Sequence, residues 1–260
     1  MKPEIRVFND VENLSHAAAN LFTAQAAESI TKRDRCLVAL NGGNTPMRLF
    51  QLLATDHRDQ VDWKRVHVFW GDERCVPPDD AGSSYGQARD ALLSRVPIPD
   101  SNIHRIKCDP SARSGRRLGP VEASKEYSPV LKEYTSPPLE WPRFDLVYLG
   151  MGEDGHTASL FPGSPVEEAA PVIPVTAHYQ YRPANRVTLT PAVFNSARRV
   201  VFMVTGAKKA VTLAEVLSDR YNPGQYPAQR INPNDGGSIW LVDEEAASKL
   251  PKKNIRNEEE

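Results

Sequence analysis

Cysteine is scarce in this 260-residue chain. The three that exist, Cys36, Cys75 and Cys108, have no paired spacing. That pattern argues against a disulfide framework and a cysteine-based zinc site, and it fits a reducing compartment. No apolar run approaches the roughly 18 residues a membrane span needs, and Met1 to Asp10 is too mixed for a signal peptide. A cytoplasmic setting is the expectation. Acidic and basic residues balance to a net charge of -1, which gives no reason to expect nucleic-acid or membrane partners. Repeats and long linkers are also missing. Residues 1–250 are therefore expected to form one domain, followed by a charged, frayed tail over 251–260. Proline is plentiful, at 22 residues, but it falls between apolar segments and punctuates a folded chain.

Those segments alternate in period. Ile5–Phe8, Cys36–Leu40, Val66–Trp70, Phe144–Leu149, Arg186–Leu189, Arg199–Val204 and Ile239–Val242 read as strands. Between them, Asp10 can cap a helix carrying Leu14, Ala17, Ala18, Leu21 and Phe22 on one side. Pro46 opens a second helix, and a third runs from about Tyr85 to Leu93. Pro120, with Glu122 in the first turn, opens one reaching about Tyr134. Pro191–Ala197 reads as a helix or turn, and another helix follows Lys209 to Leu217. Asp243 caps a short last one. Tyr221 to Gly237 and the proline-rich passage to Arg182 read as irregular, and Arg113, Arg116 and Arg117 as part of a solvated loop. The alternation predicts an α/β fold, a mostly parallel Rossmann-like sheet with helices on both faces.

Such sheets bind ligands beyond the carboxyl ends of their strands. The unusual residues of this chain follow strands: Gly42 to Thr45, Asp72 to Arg74, Asp154 to His156, and Gly206 to Lys209. Gly150-Met151-Gly152-Glu153-Asp154-Gly155-His156 presents a carboxylate and an imidazole two residues apart, among glycines that let a ligand approach the backbone. Gly42-Gly43-Asn44-Thr45-Pro46 suits an anion, with inward amides, Thr45 as a helix cap and a positive helix end. It is neither a dinucleotide fingerprint nor a Walker A loop. Lys208 and Lys209 sit where cations oppose a helix dipole, so at least one is expected to meet an anion. Asp72, Glu73 and Arg74 read equally as a salt-bridged rim or a substrate clamp. No His or Cys cluster has metal spacing.

Taken together, Asn41–Pro46, Gly71–Arg74, Leu149–Gly152 continuing through Asp154–Pro162, Arg186–Thr190 and Gly206–Ala210 resemble the 6-phosphogluconolactonase family over nearly the full length. The segment around His156 is the most specific. Asn44 stands where that family usually has Ser, and Ser84 where it usually has Asn. The resemblance implies hydrolysis of 6-phospho-D-glucono-1,5-lactone without metal or organic cofactor. It makes His156 the general base and Asp154 the group that orients it. Arg186, Lys209 and the amides of Gly42, Gly43, Asn44 and Thr45 would hold the phosphate, with Lys208 a bystander. Arg74, or amides near Gly43 or His156, would face the oxyanion, and Asp72 would touch substrate or brace Arg74.

Two rival readings remain. Glucosamine-6-phosphate deaminases share the architecture and the Asp-Gly-His loop, but they carry a Glu between the His and the next Pro. Here that run is Ala158-Ser159-Leu160-Phe161-Pro162, with no carboxylate. A non-catalytic sugar-phosphate sensor would normally be joined to a DNA-binding module, for which 260 residues leave no room.

Overall fold

The computed structural model describes residues 3–111, 117–165, 169–178, 183–251 and 256–257. Its strands are β1 (Glu4–Phe8), β2 (Cys36–Leu40), β3 (Val66–Trp70), β4 (Asp72–Arg74), β5 (Ile103–His104), β6 (Leu146–Gly150), β7 (Val172–Thr176), β8 (Asn185–Leu189), β9 (Arg199–Val204), β10 (Gly237–Asp243) and β11 (Arg256–Asn257). Its helices are α1 (Val11–Arg33), α2 (Met47–Ala54), α3 (Ser84–Ala88), α4 (Pro120–Glu133), α5 (Pro191–Phe194), α6 (Ala210–Val216) and α7 (Glu244–Ala247).

Local chemistry accounts for the helix ends. Asp10 Oδ1 accepts from the Asn13 amide at 2.8 Å and so starts α1. The helix stops where Asp34 turns left-handed at φ 62° and its N–H reaches Ile30 O at 2.8 Å. At the other end of the chain, Asp243 Oδ1 accepts from Ala246 N at 2.8 Å and starts α7. Expectation and structure differ at α2. Its cap is Pro46, with no side-chain hydrogen bond, and Thr45 Oγ1 instead lies 3.4 Å from Thr205 Oγ1. The helix expected over Tyr85–Leu93 divides into α3 and a wider π-helical stretch, Arg89–Leu93.

Eight strands form one sheet in the order β11-β1-β10-β9-β6-β2-β3-β5, and every pairing is parallel. All five residues of β2 are buried, so both faces of the sheet are covered. On one face Tyr148 of β6 donates its hydroxyl to Ala18 O of α1 at 2.6 Å. At the β3 edge, Phe69 packs against His104, Tyr134 and Phe144 with centroids 4.4–5.2 Å apart. Its neighbour Trp70 points the other way and meets Tyr85 edge-on at 5.4 Å. Burial of each such ring stabilises the fold by roughly 1.5–3 kcal/mol. Nearly all the buried apolar side chains form one continuous cluster from Ile5 to Leu250.

Beyond the sheet's carboxyl end lies a smaller antiparallel one, β4-β8-β7. The sequence reading missed β4 and β7. A three-residue strand is too short for periodicity to register, and Pro174 interrupts the other. β4 leaves β3 after a single residue, Gly71, and drapes β8 over the rim of the parallel sheet.

Two further expectations are corrected. Cys75 and Cys108 are joined in a disulfide with Cα atoms 4.6 Å apart, whereas Cys36 is a buried thiol. The pair is 33 residues apart in sequence. It meets because β3 and β5 are neighbours and the chain leaves both at the same end, a proximity that spacing alone does not reveal. The C-terminal tail is not simply frayed either, since Arg256–Asn257 pairs with β1 as a parallel edge strand. Of the three arginines expected in a solvated loop, Arg117 is exposed, while Arg113 and Arg116 lie outside the described residues.

Candidate active site

After β2 the chain builds outward to β3 and β5, then returns to the opposite side of β2 as β6. Strand order reverses between β2 and β6, and open α/β sheets form their ligand crevices at such a reversal. The loops following these strands, Asn41–Pro46 and Gly150–His156, flank a cavity of about 830 Å³. All ten residues singled out from the sequence line it: Gly42, Gly43, Asn44, Thr45, Asp72, Arg74, Asp154, His156, Arg186 and Lys209.

His156 is held by its own turn. The Gly152 amide donates to His156 O at 2.8 Å and the Gly155 amide to Gly152 O at 3.1 Å. Asp154 Oδ1 accepts from the His156 amide at 3.1 Å and lies 2.5 Å from His156 Nδ1. A carboxylate oxygen only accepts, so Nδ1 donates in this contact, and in the neutral ring the lone pair lies on Nε2. Gly152 is required here, because a Cβ at that position would stand 2.1 Å from His156 Nδ1. Phe161 packs on the imidazole at 5.0 Å, within the run that carries no carboxylate. Thr212 Oγ1 donates to Glu153 O at 2.6 Å and ties the turn to α6.

The facing wall comes from the antiparallel sheet. Alternation along β4 turns Asp72 and Arg74 into the cavity and Glu73 away from it. Asp72 is buried and accepts from Ser159 Oγ at 2.7 Å; Arg186 Nη1 lies 4.0 Å from the same carboxylate oxygen. Arg74 stands directly opposite Arg186 across the β4–β8 pairing, so two guanidinium groups line one side. Arg74 Nη1 donates to Gly82 O at 2.6 Å.

Glu73 is the buried anchor of this wall. Its carboxylate accepts from the amides of Arg74, Ser84 and Tyr85 at 2.7–2.8 Å and from Ser83 Oγ at 3.1 Å. Burial pushes its pKa up, while those three amides pull it back. Of the two readings left open for the Asp72–Arg74 cluster, Glu73 takes neither, because it pins the start of α3. Ser84, one of the departures from the family pattern, packs so close to Gly42 that a Cβ there would stand 2.9 Å from Ser84 Cα.

Lys209 ends a short 3-10 turn after Gly206 and lines the cavity, whereas Lys208 is exposed. The Gly206 amide is taken by Asp243, 2.9 Å from Oδ2, and the Ala207 amide by Glu245 Oε2 at 3.3 Å. Part of the anion expected at this helix start is thus supplied by the chain itself.

Sequence reasoning missed Gln87, Asp80 and Gly82, which also line the cavity, and Ser159, which holds Asp72. No residue-type signal points to Gln87. Ser159 lies inside the His156 segment and was open to notice. Among the described residues, no group of three or more His, Cys, Asp and Glu side chains is arranged to hold a metal ion.

A covered parallel sheet, a cavity at its strand-order reversal, and an Asp-held imidazole facing Arg and Lys side chains define a class of α/β protein that handles small anionic ligands. Residues 9–240 match the family model described as glucosamine-6-phosphate isomerases/6-phosphogluconolactonase, and the chain belongs to that family. It is 37% identical to a 6-phosphogluconolactonase of Synechocystis over 96% of this chain and 99% of that one. It is 35% identical to the 6-phosphogluconolactonase of Mycobacterium leprae over 96% and 100%. The solved 6-phosphogluconolactonase of Trypanosoma brucei superposes with TM-score 0.81 at 30% identity, covering 96% of this chain and 99% of that one. A monomeric glucosamine-6-phosphate deaminase, at 18% identity and TM-score 0.73 over 95% and 99%, shares the fold.

Proposed function

We propose that this protein hydrolyses 6-phospho-D-glucono-1,5-lactone to 6-phospho-D-gluconate, the second step of the oxidative pentose phosphate pathway. The observation that carries the reading is the Asp154–His156 pair in a cavity lined by two arginines and a lysine, followed by a run without the carboxylate of a deaminase. The names of relatives matched at full length support it.

His156 Nε2 takes a proton from water as the water oxygen bonds to the lactone carbonyl carbon. Asp154 keeps the proton on Nδ1 and offsets the positive charge that forms on the ring. The carbonyl oxygen becomes an oxyanion. The amides of Gly152, Gly155 and His156 are engaged within their own turn and that of Gly43 by Gln87, so Arg74 is assigned as its donor. Collapse of the intermediate breaks the bond from the carbonyl carbon to the ring oxygen, which takes the proton back from His156. Arg186, Lys209 and the Asn41–Pro46 loop hold the phosphate, and Asp72 braces Arg186. One continuous core supports reading residues 1–250 as a single domain. No helix among the described residues is long and apolar enough to cross a membrane, and a cytoplasmic setting with a phosphorylated sugar lactone as partner suits the reading.

The test is decay of freshly generated 6-phosphogluconolactone, made in situ from glucose 6-phosphate and its dehydrogenase, with wild type and His156→Ala. Wild type accelerates the decay, and the folded variant loses roughly 10²–10⁴ of that rate. No acceleration by wild type, together with ammonia release from glucosamine 6-phosphate, would reject the reading in favour of the deaminase.

A further inference from the structure

Gln87 spans from the Asn41–Pro46 loop to the rim beside Arg74. Its partners fix its orientation, since the Gly43 amide can only donate and the Ala81 carbonyl can only accept. Oε1 therefore faces Gly43 N at 3.0 Å, and Nε2 faces Ala81 O at 3.0 Å. The Ala81 carbonyl lies on the rim that Arg74 holds through Gly82. Gln87 itself is carried by α3, whose first residues hang on buried Glu73.

The Gly43 end of this strap is the one that needs holding. Gly43 has φ +110°, and a Cβ built on it would meet nothing within 4 Å. A glycine peptide in open space has several orientations of similar energy. The hydrogen bond to Gln87 selects one of them. The amides of Asn44 and Thr45, next in the loop, donate to no acceptor among the described residues.

We propose that Gln87 is a positioning residue for the substrate's phosphate. It fixes the Gly43 peptide so that the Asn44 and Thr45 amides face the cavity, and it locks that loop to the opposite rim. The inference rests on assigning the Asn41–Pro46 loop to the phosphate. It also revises that assignment, because the Gly43 amide belongs to Gln87 and the phosphate meets Asn44 and Thr45.

Gln87→Leu keeps the approximate volume and removes both hydrogen bonds. Calorimetric binding of 6-phosphogluconate, with gluconate as the control, reads the phosphate contribution without turnover. The expected result is a roughly tenfold weaker Kd for 6-phosphogluconate, about what one to two hydrogen bonds supply. In turnover, KM for the phosphorylated lactone rises by a similar factor while kcat stays within about twofold. kcat/KM for unphosphorylated glucono-1,5-lactone falls by a clearly smaller factor than that for the phosphorylated one. Should Gln87→Leu melt more than a few degrees below wild type, Gln87→Met repeats the comparison.

Unchanged Kd and KM overturn the proposal, as does an equal loss on both lactones, which marks a general structural role. If wild type hydrolyses neither lactone yet Gln87→Leu still binds 6-phosphogluconate more weakly, the reaction is rejected and the role of Gln87 stands.

Discussion

On one wall of the cavity, the imidazole of His156 and the carboxylate that holds it are two residues apart, and the backbone bonds that shape their turn run between Gly152 and His156. On the facing wall, Arg74 and Arg186 meet only because β4 pairs with β8, and the rim beside them hangs on the buried carboxylate of Glu73. The first wall is a local structure whose shaping bonds lie within one short segment. The second is a tertiary structure, assembled from three distant segments. Damage to the first should therefore be chemical and confined, and damage to the second should spread into stability.

Glu73→Ala breaks the comparison most forcefully. It leaves three backbone amides and a hydroxyl in a buried site without their acceptor, so the fold should lose about 3 kcal/mol or more. Denaturant unfolding measures the loss. Hydrogen exchange should show amides over 80–87 losing protection while those over 152–157 keep theirs; equal loss in both would mean the walls are one unit.

Gly152→Ala attacks the local wall instead. The new Cβ has to displace an imidazole that would otherwise stand 2.1 Å from it. A misplacement of that size should lower kcat by ~10²-fold with the melting temperature little changed. A variant with wild-type kcat would show that the turn yields without moving the base.

The smallest effect is set at the β3–β5 edge, which belongs to neither wall. His67 Nδ1 and His104 Nε2 are 3.2 Å apart. Burial, and then the neighbouring His67, bring His104 down to about 4; burial, and then Arg35, lower His67. The unfolded chain takes up these protons at higher pH than the folded one. Stability from this pair is thus complete above about pH 6.5 and declines as pH falls towards 4. His104→Phe, which preserves the stack on Phe69, should flatten that decline by ~1 kcal/mol at pH 5 in pH-dependent melting. A slope identical to wild type would place the titration elsewhere.

The same contrast explains what could be read before folding. The strands of the parallel sheet, apart from its two-residue edges, and the Asp10 and Asp243 caps follow from residue order, because periodicity and capping are properties of neighbours. The turn around His156 was legible for the same reason, with carboxylate, glycines and imidazole lying in one heptapeptide. β4, β7, the Gln87 strap and the Cys75–Cys108 pair were not, since each depends on which remote segment arrives beside it. Thr45 is an instructive error: its residue type suits a helix cap, but Thr205 of the loop after β9 stands 3.4 Å from its hydroxyl.

The bond between Cys75 and Cys108 closes a covalent ring. That ring begins one residue past Arg74 and contains the rim at Gly82, the start of α3 and Gln87. A single backbone cut anywhere inside it leaves every part of the tertiary wall tethered at both cut ends, in one molecule of unchanged mass apart from one water. A cut in the Gly150–His156 turn has no such tether. The wall whose assembly residue order does not reveal is thus the one whose pieces survive nicking together, for as long as the sulfurs stay joined.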